Sequence, residues 1–260
     1  MNTINLGLEF IKNVIVIADE IIKKEAINLD LSSTLCATTI INRGIVHVFG
    51  TGHSSSVVLE TAARTGSIVG FHPIIEYSLS IFSSVIGSNG HAQATYIERL
   101  EGFGKTLFNN YDFNPNDVFV LVSHSGINPV IVDLAIELKK AKIPVIAITS
   151  ETHSKSSKSR HSSNKRLFDI ADIVIDTHIP YSDTLCSVPI NNERQGVGAA
   201  SSLIGAMVLN AIQCDVASKL IDAGVQPVIM PNPNSETPNQ EQRLSHYFSA
   251  YKKLIKGQIV

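Results

Sequence analysis

The chain has 260 residues, 44% hydrophobic and 17% charged, with a formal net charge of −2. Length and composition indicate a globular chain with a substantial core, enough for one large α/β domain with an added helical layer. The near-neutral balance gives no electrostatic reason to expect nucleic acid or an anionic membrane as partner.

Cys36, Cys186 and Cys214 stand far apart with no CxxC spacing, and they read as reduced packing residues. The start, Met1-Asn2-Thr3-Ile4-Asn5-Leu6, has no basic region or small-residue cleavage site. No uninterrupted apolar run approaches the roughly 20 residues of a membrane span. A cytoplasmic location is the expectation.

In chain order, Leu6 to Asn42 reads as helical. Ile11, Val14, Ile15, Ala18, Ile21 and Ile22 recur at three- and four-residue steps, and a break is expected near Asn28–Ser33. This flank, residues 1–44, lacks the basic recognition helix of a helix-turn-helix module. The region 45–224 then alternates apolar strands with amphipathic helices. Strands are expected at Ile45–Phe49, Ile68–Pro73, Asp117–Val122, Pro144–Thr149 and Ile173–Asp176, and helices at Ser54–Thr65, Tyr96–Asn110 and Pro129–Ala141. The pattern predicts a three-layer, doubly wound α/β sandwich around a five-stranded parallel sheet.

Ser150–Arg166 is basic and serine-rich, either a solvated loop or a lid whose Arg160 or His161 meets an anion. Leu203–Leu220 reads as a helix with small residues suited to close packing. A Pro/Asn-rich tail, 225–260, ends in a short helix near Glu241–Ile255 and is expected to drape over the domain or a partner subunit.

Two turns carry the chemistry. Ser123-His124-Ser125-Gly126-Ile127-Asn128 follows the strand Asp117–Val122 and opens the helix at Pro129. Hydroxyls, a glycine and backbone amides at a helix N-terminus make an anion site. With no lysine or arginine in the turn, neutral donors and the helix dipole must do most of the holding, which suits a phosphate monoester. Upstream, Gly50-Thr51-Gly52-His53-Ser54-Ser55-Ser56 follows the first strand, and its glycines permit a sharp turn and close ligand approach. It is neither the dinucleotide fingerprint nor a Walker A loop. Both turns lie at the carboxyl edge of the sheet, where α/β folds bind ligands.

The pair, Gly-x-Gly-x-Ser after one strand and Ser-x-Ser-Gly after a later one, resembles the sugar isomerase (SIS) domain. The likeness extends through Glu98-Arg99-Leu100-Glu101-Gly102, Ala147–Ser150, Ser159-Arg160-His161, Lys165-Arg166-Leu167 and Ala171–Asp176, and is greater to a bacterial group of stand-alone SIS proteins. Asn128 stands where the usual pattern has threonine or, in some members, asparagine. Ser162-Ser163-Asn164 replaces a Pro-Ser-Gly common in that group. The resemblance implies a flavodoxin-like SIS fold and a phosphosugar ligand. It leaves open an aldose–ketose isomerase, a sugar-phosphate etherase or lyase, and a non-catalytic phosphosugar sensor.

Moving a carbonyl between C1 and C2 of a sugar phosphate needs an anchored phosphate, an opened ring and a positioned base. Ser123, His124, Ser125, Gly126 and Asn128 are the expected anchor, with Gly52, Ser54 and Ser55 toward the sugar. Glu101, Glu98, Glu60 and His53 compete as base. Glu101 leads because its segment resembles the region holding a catalytic glutamate in the N-acetylmuramic acid 6-phosphate etherases. Glu98 and Glu101, three apart, would share a helix face, and His53 is the candidate for ring opening. No cofactor is expected and no metal, since His53, His72 and Glu76 match no ligand spacing. SIS domains commonly pair. The isoleucine- and valine-rich flank supports a homodimer with N-terminal helices in the interface and His53 or Glu60 near the partner.

Overall fold

The structure, a computed structural model, describes residues 5–80, 90–234 and 238–255; the outermost parts of the expected flank and tail lie outside these. Five parallel strands form the central sheet: β1 (Val46–Gly50), β2 (Phe71–Ile74), β3 (Val118–Val122), β4 (Val145–Thr149) and β5 (Ile173–Asp176), in the order β2-β1-β3-β4-β5. β1, β3 and β4 are buried along their whole length, as expected of central strands covered on both faces. Successive side chains alternate between the layers. Val118, Val120 and Val122 face a cluster with Val46, Val48, Ile146 and Ile148; Phe119 and Leu121 face another with Phe49, Val145 and Ala147.

The first layer is built by α1 (Leu6–Lys24), α2 (Ala26–Ile41), α3 (Ser54–Val58) and α8 (Ser201–Asp222). α8 is long and apolar enough to cross a membrane, by length and composition only. Its Ile204, Val208, Leu209, Ile212 and Val216 are buried in the core. The second layer carries α5 (Phe103–Asn109) and α6 (Pro129–Lys140), with α4 (Gly90–Ile97) before them. α7 (Glu151–Ser156) follows β4, and α9 (Gln240–Ile255) closes the described chain. The tail runs beside 66–69: Met230 N donates to Ser67 O at 2.9 Å, and Ser67 Oγ lies 2.9 Å from the Tyr247 hydroxyl.

Several element bounds differ from expectation, for local reasons. The flank breaks at Glu25, not at Asn28–Ser33. Ser33 Oγ bonds back to Asp30 O at 3.0 Å, so the polar stretch stays helical, while the Glu25 carboxylate at the kink accepts from Asn28 Nδ2 and pairs with His178. The helix expected over Ser54–Thr65 stops at Val58 and continues only as a 3-10 turn, Leu59–Thr61, where the Thr61 hydroxyl bonds to Val58 O at 2.8 Å. The helix expected over Tyr96–Asn110 is two helices, parted at Gly102, whose φ of 88° is left-handed. Glu98 and Glu101 therefore share no helix face. Ile68 pairs with Ile229 instead of opening β2.

Sequence reading missed an antiparallel ribbon, β6 (Thr184–Ile190) with β7 (Glu193–Ala199). Its turn residues Asn191 and Asn192 both take positive φ, 51° and 65°, the backbone a two-residue hairpin turn demands.

His47 and His72 lie in register on β1 and β2, Nδ1 to Nδ1 3.0 Å apart, and His47 Nε2 is 3.1 Å from Asp117 Oδ2. His47 is thus a partnered core residue. Burial, then the neighbouring His47, pushes His72 down to about 4 from its ordinary 6.5, against the opposing pull of Asp117. A pKa depressed in the folded state means that the unfolded chain binds the extra proton between those values. The stability His72 contributes is complete above 6.5 and is lost as pH falls toward 4. Urea denaturation should register a loss on the order of 3 kcal/mol across that window, and His72→Gln should flatten the slope; an unchanged slope would exclude His72 as its source.

Candidate functional site

The chain steps from β1 outward to β2, then back across to β3, so the sheet order reverses between β1 and β3. A crevice opens at such a switch point beyond the carboxyl ends of the strands. The turns after β1 and β3 form its two walls.

In the turn after β1, a Cβ at Gly50 would lie 2.9 Å from both Ser54 Cβ and Val122 O, so only glycine lets the two strand ends come this close. Gly52 takes φ 59° and donates its amide to Leu79 O at 2.8 Å. Ser55 and Ser56 turn their hydroxyls back onto Gly52 O and His53 O, each at 2.7 Å. Ser55 is buried, and its bond to Gly52 O shapes the turn. The Ser54 hydroxyl has no partner among the described residues. The His53 ring is exposed, and its carbonyl accepts from Ser202 Oγ at 3.4 Å, which brings the N-terminus of α8 to the same rim.

The turn after β3 is held from behind. His124 O accepts from Ser150 N at 3.0 Å, Ser125 O from Ser154 Oγ, Gly126 O from Leu167 N at 2.8 Å, and Ile127 O from Arg160 N at 3.0 Å. Four consecutive carbonyls thus point into the segment 150–167. The amides of Ser125, Ile127 and Asn128 have no acceptor among the described residues. Gly126, at φ 63°, makes this possible: a Cβ there would sit within 3.2 Å of Ser154, Leu167 and Thr149. Ser123 Oγ accepts from Gly126 N at 3.1 Å, which leaves its proton to donate outward. The Ser125 hydroxyl has no partner among the described residues.

His124 differs from the rest of the loop. Both ring nitrogens are buried without a hydrogen-bond partner, and the ring stands edge-on to His153 at 4.7 Å. Burial lowers its pKa, with His153 adding to the effect and Asp183 and Asp176 opposing it. A neutral imidazole within this turn is the consequence at neutral pH.

The competing carboxylates separate clearly. Glu98 touches both walls: its Oε2 accepts from Thr51 Oγ1 at 3.2 Å and its carbonyl from Val130 N at 3.3 Å. Glu101 is exposed and accepts from Ser162 N and Ser162 Oγ, both at 2.6 Å; these bonds lower its pKa. Glu60 pairs with Arg64 and accepts from Asn210 Nδ2 of α8 at 3.2 Å, so it is engaged on that helix.

Sequence reading missed two carboxylates. Asp133 accepts from Gly102 N at 2.5 Å and pairs with His161 Nε2 at 2.9 Å, joining α6 to the Glu98–Gly102 turn and to the basic segment. Its signal was a lone acid within the apolar start of α6. Asp183, at φ 61°, accepts from Ser201 N at 2.8 Å and Ser201 Oγ at 2.7 Å, holding the first residue of α8; nothing in the local sequence marked it. His161, considered for anion contact, is instead fixed between Asp133 and Ser163. Among the described residues no cluster of three or more His, Cys, Asp or Glu is arranged to hold a metal ion.

The profile of the SIS domain matches residues 9–150, more than half of the chain. A UPF0309 protein of Geobacillus kaustophilus is 32% identical over 235 residues, covering 90% of each chain. Another, from Thermoanaerobacter pseudethanolicus, is 30% identical over 251 residues, covering 96% of this chain and 98% of its own. Among solved structures, phosphoheptose isomerase from Francisella tularensis superposes with a TM-score of 0.53 at 13% identity, over 84% of this chain and 100% of its own. The phosphoheptose isomerase of Neisseria gonorrhoeae superposes with a TM-score of 0.51, also at 13% identity, over 82% and 97%. The doubly wound sheet, the paired turns at its switch point and these likenesses agree: the chain belongs to the SIS domain family.

Proposed function

We propose that the crevice between turns 50–56 and 123–128 binds a sugar phosphate and that the protein interconverts its aldose and ketose forms. The observation that carries the reading is the backward capture of four consecutive carbonyls by the segment 150–167. It leaves the amides of Ser125, Ile127 and Asn128 and the hydroxyls of Ser123 and Ser125 as donors at the N-terminus of α6. Such an array suits an anion with several acceptor oxygens. The named activity of the Neisseria and Francisella proteins, phosphoheptose isomerisation, is a chemical analogy for it.

Isomerisation needs a base that removes the proton on the carbon next to the carbonyl and returns it to the adjacent carbon, with an enediol between. Glu98 suits that role better than Glu101. It sits between the two walls, whereas Glu101 is exposed and turned onto Ser162 of the segment 150–167. His53, exposed at the rim, is assigned ring opening.

The protein is further proposed to act as a homodimer. α1 leaves Leu8, Ile11, Ile15 and Ile22 exposed, spaced three, four and seven residues apart, and α2 adds Ile27 and Leu31. A stripe of that spacing is the seam by which helices pair, and a two-fold arrangement is the default closure.

Three outcomes test the reading. Ser125→Ala should weaken sugar-phosphate binding by about 1–3 kcal/mol and leave the unphosphorylated sugar unaffected; calorimetry showing equal loss for both ligands would remove the phosphate assignment. Glu98→Gln should keep ligand affinity yet lower turnover by a factor on the order of 10² or more, while Glu101→Gln should retain most turnover. The reverse ranking would restore Glu101 as base, and wild-type binding with no turnover of any sugar phosphate would favour a sensor. Light scattering at micromolar concentration should report about twice the 28.1 kDa chain mass, and a monomer mass would refute the dimer.

A further inference from the structure

We propose that Arg160 supplies the positive charge that the phosphate turn itself lacks, and that it leaves Asn128 to do so when a phosphate dianion binds. The inference rests on the phosphosugar reading above. Residues 123–128 contain no lysine or arginine. The end of a helix offers only about half an elementary charge, so a dianion held by the turn alone keeps most of its charge uncompensated.

Arg160 is placed to meet that need. Its backbone amide donates to Ile127 O at 3.0 Å, which fixes its Cα against the turn. Its Nη1 donates to Asn128 Oδ1 at 2.6 Å, at the N-cap of α6. The guanidinium carries five donors in a planar fork, and its remaining nitrogens have no acceptor among the described residues. The side chain is exposed, so it can swing without moving the backbone that holds the turn.

Three other basic residues of the segment are engaged elsewhere, while the exposed Lys158 and Lys165 make no side-chain contact with the turn 123–128 among the described residues. Lys155 pairs with Glu151; Arg166 donates to Ser157 O and lies over the Phe168 ring at 5.6 Å; His161 is fixed by Asp133. A neutral amide oxygen is a weaker acceptor for a guanidinium than a phosphate oxygen, so the exchange of partners is favourable. The parked state keeps Arg160 oriented at the crevice before the ligand arrives, and the exchange selects ligands by charge.

The test uses the full chain at pH 8, with inorganic phosphate as dianion and hypophosphite as a tetrahedral monoanion, titrated calorimetrically. Arg160→Gln should weaken phosphate binding about tenfold and hypophosphite binding less than about threefold. Arg160→Lys should recover most of the phosphate affinity, since it restores charge without the planar fork. Equal weakening of both anions would mark Arg160 as merely structural and overturn the proposal, as would unchanged phosphate affinity in Arg160→Gln. A wild-type protein that binds neither anion would overturn the phosphosugar reading itself, and this inference with it.

Discussion

The site depends on one constraint: the carbonyls of residues 124–127 must all face away from the crevice. A peptide unit that turns its oxygen one way turns its N–H the other, so the donors on the ligand side exist only because Ser150, Ser154, Arg160 and Leu167 satisfy the oxygens behind. Gly126 supplies the positive φ that the path requires and the absent side chain that lets Ser154, Leu167 and Thr149 close in. Buried carbonyls without those partners would rotate to find others, and the donor array would disperse with them. The segment 150–167 therefore holds the turn's donor array in place, although it lies more than twenty residues downstream of the turn.

Asp133 extends the same logic sideways. It stands one turn into α6 and receives Gly102 N and His161 Nε2 on its two oxygens. The turn that carries Glu98 and the loop that carries Arg160 are thereby fixed to α6, the helix that follows the turn 123–128. Ser162, bound by Glu101, adds a second tie between the same two segments. The turn that carries Glu98 and the turn 123–128 are thus positioned by one element, α6.

The face opposite this machinery is built differently. α1 covers the sheet with Ile17 and Ile21 while presenting isoleucines and a leucine outward, and the β6–β7 ribbon beside it has an almost wholly exposed outer strand. The ribbon is joined to α1 by Asn13 Nδ2 donating to Leu185 O at 2.8 Å and by the contact of Phe10 with Gly198. A two-stranded ribbon has little stability alone, so its order comes from α1.

The sequence by itself determined the layers, the five strands of the central sheet and the two turns. Apolar runs such as Val118–Val122 and Val145–Thr149 bury on both faces wherever they occur, and a strand–glycine–serine–helix order constrains its backbone locally. The family likeness was legible in the same turns, because they are contiguous. Other features belonged to the tertiary structure. The break at Gly102 comes with its capture by Asp133, thirty-one residues on, so an apparently continuous helix 96–110 divides and places Glu98 and Glu101 in different surroundings. Glu101 is engaged by Ser162, and Glu60 by Arg64 and Asn210; each partner was visible in the sequence, but its proximity was not. Local periodicity reports what a segment must bury; which polar groups end up facing each other is decided by the packing of segments far apart in the chain.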